Sequence, residues 1–237
     1  MPGREFEPDF PDEYRFCRLT FAEQQVMLDD DEPSRYLMHW NGTIGWHHPM
    51  GERVDPIGAF SLYLVDGDSA MDERADIFNV YDTEQGIFDV YQGLFDTKTG
   101  NLKDRVERIA FGDDFAMSAN VLIFDRLVIY PAHRGHGVGL LALRALMHQF
   151  RSFAGLMVMK PYPLQFETSS RDEPVGLGRE HWALESYKLK QPAATAKLRR
   201  YYARLGFTHV PRTDYMVRDP LTPLPAVDTL LADRPAE

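Results

Sequence analysis

The sequence predicts a mixed α/β fold, a central mixed sheet flanked by helices. VLIFDRLVIY (Val121–Tyr130) is the most strand-like run in the chain. It leads through a glycine-rich turn, PAHRGHGVG (Pro131–Gly139), into an apolar-striped helical run, LLALRALMHQF (Leu140–Phe150). Strands alternate with helices from there onward, the pattern of a sheet covered by helices. At 237 residues the chain is long enough for one enlarged domain.

The elements follow in order. YRFCRLTF (Tyr14–Phe21) reads as a first strand. AEQQVMLDD (Ala22–Asp30) reads as a brief helix, with Thr20 and Glu23 resembling a capping pair. RYLMHW (Arg35–Trp40) reads as a strand and NGTIGWHHPMGERVDP as a loop rich in Gly and His. IGAFSLYLV (Ile57–Val65) alternates as a strand that DGDSAMDE ends. Apolar residues between Ala75 and Phe95 recur at three- and four-residue intervals, which predicts an amphipathic helix interrupted near Asp82–Gly86. TKTGNLKD breaks it, and a weaker segment follows.

After Phe150, GLMVMKPYPLQFE reads as a strand whose prolines mark an irregular end. Thr168–Pro192 is polar and loop-like, with a short helix at REHWALESY. KLRRYYARLGF (Lys197–Phe207) is a short helix stopped by Gly206, and THVPRTDYMVRD supplies one or two closing strands. The organisation expected is one domain over 1–219, with an inserted helical segment at about 75–95 and a loop insertion at about 168–192. A Pro-rich irregular tail covers 220–237.

Composition narrows the function classes. With 36 acidic and 26 basic residues, the chain carries a formal charge of −10, against the basic face that nucleic-acid binding needs. The acidity suits a cationic acceptor, and equally solubility alone. Cys17 is the single cysteine, so no intrachain disulfide and no cysteine-held zinc is expected. The N-terminus lacks the apolar stretch of a signal peptide, and no run approaches the roughly 18 apolar residues of a membrane span. A soluble, cytoplasmic protein is expected, without nucleic-acid or membrane partners.

The central turn is built for an anion. A helix starting near Gly137 leaves its first N–H groups without internal partners and places its positive dipole end there. Gly135, Gly137 and Gly139 lack Cβ atoms, so a phosphate can come close to those donors, and Arg134 adds a fixed cation. The spacing is neither GxxxxGK[ST] nor GxGxxG, so Walker and Rossmann nucleotide sites are not supported. A metal reading would use His133 and His136 with His47 and His48, but no carboxylate or cysteine pattern completes it. No metal is expected. A plain tight turn is the remaining alternative.

Arg134-Gly135-His136-Gly137-Val138-Gly139 resembles the R/Q-x-x-G-x-G/A signature of the GNAT superfamily of acyl-CoA-dependent N-acyltransferases. The preceding Ile129-Tyr130-Pro131 and the following helix fit that context. A second landmark, Y-x-x-x-G-F, is similar to Tyr202-Ala203-Arg204-Leu205-Gly206-Phe207. The resemblance covers about Val121–Val217. It implies a GNAT-like central mixed sheet with a splayed pair of central strands, Met157–Met159 being the splayed neighbour. It further implies acetyl-CoA as co-substrate, with Leu127, Val128 and Ile129 lining the pantetheine arm. Arg134, Gly135, His136, Gly137, Val138 and Gly139 would hold the pyrophosphate.

The same resemblance makes Tyr202 the acid that protonates the leaving thiolate. A tyrosine with a reference pKa of about 10 is protonated at neutral pH, as that role needs. A tyrosine packed under the sheet is the alternative, and the adjacent Tyr201 is expected to face elsewhere. Asp125, two residues before Leu127, is the candidate base, or else a surface charge paired with Arg126 or Arg144; Glu167 is a further candidate. Many members carry an asparagine ten residues before the motif glycine, where this chain has Ala196 beside Thr195.

Arg171, Asp172, Glu173, Glu180, His181 and Trp182 belong to a loop that either walls the substrate or is solvated. The aromatics Phe78, Tyr81, Phe88, Tyr91 and Phe95 shape an acceptor pocket or simply fill core. The acceptor class is a small-molecule or peptide amine, and a homodimer is left open. The rival class is an acyl-CoA-binding sensor or interaction module without turnover.

Overall fold

The computed structural model describes residues 17–21, 32–47, 54–167, 182–184 and 188–232. The helix expected over Ala22–Asp30, and most of the 168–192 loop, lie outside the described residues. Among the described residues, seven strands form one open mixed sheet: β1 (Cys17–Phe21), β2 (Leu37–His47), β3 (Val54–Val65), β4 (Val121–Ile129), β5 (Leu156–Met159), β6 (Thr208–His209) and β7 (Met216–Arg218). Their spatial order is β1-β2-β3-β4-β5-β7-β6, and every neighbouring pair is antiparallel except the parallel β4–β5. This mixed α/β architecture is consistent with a GNAT-like fold.

Alternation along the strands divides the core in two. Phe60, Leu62, Leu122, Phe124, Met157 and Met159 face α5 (Val138–Phe150), whose Leu140, Leu143 and Met147 form the apolar stripe the sequence predicts. On the opposite face, Tyr63, Val65, Val121, Ile123, Val158 and Val217 are covered by residues between β3 and β4. Those residues form α1 (Gly67–Asp72), α2 (Ile77–Tyr81), α3 (Gln85–Leu94) and α4 (Asp104–Phe111). The break between α2 and α3 falls where the sequence places it. Tyr81, Tyr91 and Phe95 are buried core residues there, with Tyr91 stacked on both of the others. Phe78 stands edge-on to Phe88 at the surface.

Several boundaries differ from expectation. β2 runs on to His47 and β3 begins at Val54, so most of the expected Gly/His loop is strand. Its glycines serve close packing rather than turning: a Cβ at Gly42 would run into the Phe60 ring, and one at Gly45 into the Val54 side chain. The DGDSAMDE segment is α1, capped by the Asp66 carboxylate accepting from the Ser69 N–H. The Lys197 helix begins earlier, as α6 (Gln191–Ala203), with proline in its first turn.

The tail is not wholly irregular either. It carries α7 (Val227–Ala232), whose Leu230 is buried against the α5 side of the core. Among the described residues no helix is long and apolar enough to cross a membrane.

Gly155 stands just before β5, where an added Cβ would overlap the Ser118 carbonyl oxygen, a backbone atom that cannot swing away. Gly155→Ala is expected to lower the unfolding free energy by about 2 kcal/mol, read from denaturant midpoints at unchanged slope.

Candidate functional site

β4 and β5 pair only from Val121↔Leu156 to Phe124↔Met159. The chain after Met159 enters Lys160-Pro161, and Pro161 has no N–H to continue the ladder. β4 nevertheless runs on to Ile129, paired with β3 on one side and with no strand on the other among the described residues. The strands therefore part beyond Phe124. Met157–Met159, expected as the splayed neighbour, are themselves paired with β4, and the divergence begins one residue later.

The parting coincides with a bulge. Ser61 pairs with Arg126 and Leu62 with Phe124, leaving Asp125 as the extra residue on β4. Asp125 Oδ2 lies 3.8 Å from Arg126 Nε. Arg126 is tied more closely across the gap, its Nη2 donating to Glu167 Oε1 at 2.7 Å. On the same face, His39 Nε2 and the buried Ser61 hydroxyl share a 3.0 Å hydrogen bond, and the His39 ring stacks on Tyr63. Asp125 and Glu167 thus neighbour a polar row, Asn41, Ser61 and Arg126, on three adjacent strands. Sequence reasoning missed that row because it depends on strand register.

At the far end of β4 the chain makes a single 3₁₀ turn, Pro131–His133, and then reaches Gly135 and Gly137 with φ of 80° and 79°. That left-handed geometry suits glycine and strains other residues. Gly137 is the N-cap of α5 and offers no side chain to satisfy the helix end. The N–H groups of Gly135, Gly137, Val138 and Gly139 donate no hydrogen bond among the described residues. Leu127 and Ile129 pack against Gly139, each 3.5 Å from where its Cβ would stand. The expected cofactor residues of β4 and the turn are thereby gathered at one end of the sheet.

Arg134 is bonded to main chain in this structure. Its guanidinium donates to the carbonyls of Ile129 (2.8 Å), Ala183 (3.4 Å) and Trp182. It clasps the otherwise distant Trp182 segment to the end of β4. His133 is held below its usual pKa by burial and then by the neighbouring His136, with Asp55 opposing. Among the described residues no cluster of three metal-ligating side chains occurs.

On α6 both tyrosines pack against the α5 side of the core, their ring centroids 5.5 Å apart. The Tyr201 hydroxyl reaches the first turn of α5, 2.7 Å from where a Cβ on Gly139 would be. Tyr201 therefore faces the turn, contrary to expectation. Neighbouring helix positions lie about 100° apart, close enough for both rings to flank one groove. Burial pushes the Tyr202 hydroxyl up to about 12, so it is protonated at neutral pH. Tyr130, whose buried hydroxyl has no hydrogen-bond partner, is pushed to about 12 by the same cause.

Comparison with protein-family models, curated proteins and solved structures returns no match.

Two measurements bear on this site. The Arg126 and Glu167 side chains are only 5% and 15% exposed, so Glu167→Ala removes the close carboxylate partner of a buried guanidinium and should cost about 2 kcal/mol of stability in chemical denaturation. Tyr130 and Tyr202 stay neutral in the folded chain after an unfolded one, with phenols near 10, has ionised. Their contribution to stability is complete below about pH 10 and is lost as pH rises toward 12. Ultraviolet titration should show late-ionising phenols, one fewer in Tyr202→Phe.

Proposed function

We propose that the chain is a GNAT-type N-acetyltransferase that moves an acetyl group from acetyl-CoA to a primary amine by direct attack on the thioester, in the cytoplasm. The observation that carries this reading is the parting of β4 from β5 beside a glycine turn with unbonded N–H groups. A pantetheine arm needs exposed strand backbone to bond to, and a pyrophosphate needs clustered N–H donors at a helix start; the two adjoin here. The motifs at Arg134–Gly139 and Tyr202–Phe207 support the same reading.

In this mechanism Leu127, Val128 and Ile129 present main chain to the pantetheine. The N–H groups from Gly135 to Gly139 hold the pyrophosphate, and Tyr201 flanks it. The amine nitrogen forms a C–N bond to the acetyl carbon as the C–S bond breaks. The departing thiolate takes its proton from the Tyr202 hydroxyl, which burial keeps protonated. The amine's proton passes to the acceptor side, where Asp125 is the proposed base. Arg126 balances the charge of Glu167, and Asp125 is the carboxylate proposed to take the proton of an acceptor that arrives as an ammonium ion.

The purified protein, offered acetyl-CoA and a panel of primary amines, should release free CoA detectable by a thiol reagent. Tyr202→Phe should lower kcat by about 100-fold with acetyl-CoA affinity unchanged. Acetyl-CoA binding without release across the panel would assign the chain to the rival class, a non-catalytic acyl-CoA-binding module. Equal turnover in Tyr202→Phe would remove the tyrosine from the mechanism.

A further inference from the structure

The segment from Asp219 to Ala232 crosses back over the glycine turn, and its attachment is specific. Arg218 donates to the carbonyls of Asp219 (2.9 Å), Thr222 (2.6 Å) and Pro223 (3.1 Å). Arg144 on α5 donates to Pro225 (2.8 Å), and Arg204, just after α6, to Leu230. Leu224 and Leu230 pack into the core as anchors. Leu231 is half-buried but lies outside that core cluster. Its Cδ2 stands over the turn, 2.7 Å from where a Cβ on Gly137 would lie.

The placement matters because of what it covers. Gly137 caps the positive end of α5, where the unbonded N–H groups cluster. Leu231 belongs to the last turn of α7, whose Leu230 carbonyl accepts from Arg204, so it is the Leu231 side chain that meets the turn. An anion at the turn would meet the Leu231 side chain and compete with this arrangement.

We infer that the C-terminal strap, through Leu231 and the end of α7, is an autoinhibitory cover that acyl-CoA must displace from the Gly137 turn. The inference rests on the reading of that turn as the pyrophosphate site. The anchors Leu224 and Leu230 and the proline-bearing stretch before α7 keep the strap attached, while Leu231 and the end of α7 lift. Apparent affinity for acetyl-CoA is then the intrinsic affinity reduced by the fraction of molecules with the strap raised.

Calorimetric titration of the full chain with acetyl-CoA tests the cover. Leu231→Ala should bind about tenfold more tightly than wild type, and Leu231→Trp more weakly, with thermal midpoints unchanged. Amide exchange at Leu231 and Ala232 should accelerate when acetyl-CoA is added. Equal affinities, weaker binding by Leu231→Ala, or slowed exchange would overturn the cover and make the strap a fixed wall, leaving the acetyltransferase reading intact. Absence of binding in wild type and both variants would overturn the pyrophosphate site itself, and the cover with it.

Discussion

The arrangement of this molecule depends on where two parallel strands stop sharing hydrogen bonds. β4 and β5 pair over four positions, and then Lys160-Pro161 turns one of them away while β4 continues. A strand in mid-sheet ordinarily satisfies both edges, so freeing one edge of β4 removes hydrogen bonds that the fold would otherwise use. The remaining edge is held by β3, and the bulge at Asp125 adds local twist at the point of departure. The β4 and turn residues of the site lie along that free edge or at its far end, which the Tyr201 hydroxyl of α6 also reaches. The buried Arg126–Glu167 pair bridges the opening on one face, and α5 begins at the end of the strand.

Arginine-to-carbonyl bonds hold the surrounding irregular segments. Arg134 secures Trp182, Arg144 and Arg204 secure the strap, and the buried Arg218 secures both Leu205 and the strap's beginning. A guanidinium has five N–H donors in a planar fork and no acceptor, so one side chain can satisfy several carbonyls of a loop that lacks secondary structure. Desolvation lowers the Arg218 pKa, and its neighbouring Asp219 opposes that shift. This use of Arg134 also explains why a residue suited by position to phosphate is found bonded to main chain.

Much of the sheet and its helices was legible in the residues. The apolar run of β4, the α5 stripe and the break between α2 and α3 each follow from local periodicity and turn chemistry. Glycine misled where it was most frequent: Gly42 and Gly45 read as loop residues, but their absent side chains let an aromatic ring and a valine of the next strand come close. Proline misled in the tail, since prolines before α7 do not prevent six residues after them from forming a helix. Tyr201 was set aside on helix phase alone, although a neighbouring turn with no Cβ leaves room for its hydroxyl.

By itself the sequence determined the mixed α/β class, the order of its central elements and the glycine turn between β4 and α5. These are local properties, written in side-chain periodicity and in residues that tolerate positive φ. Tertiary structure alone decided that Ser61, Asn41 and Arg126 form one row, that Arg134 serves as a clasp, and that Leu231 lies over Gly137. Each of those depends on register or on contacts between segments far apart in the chain, which no window of sequence contains.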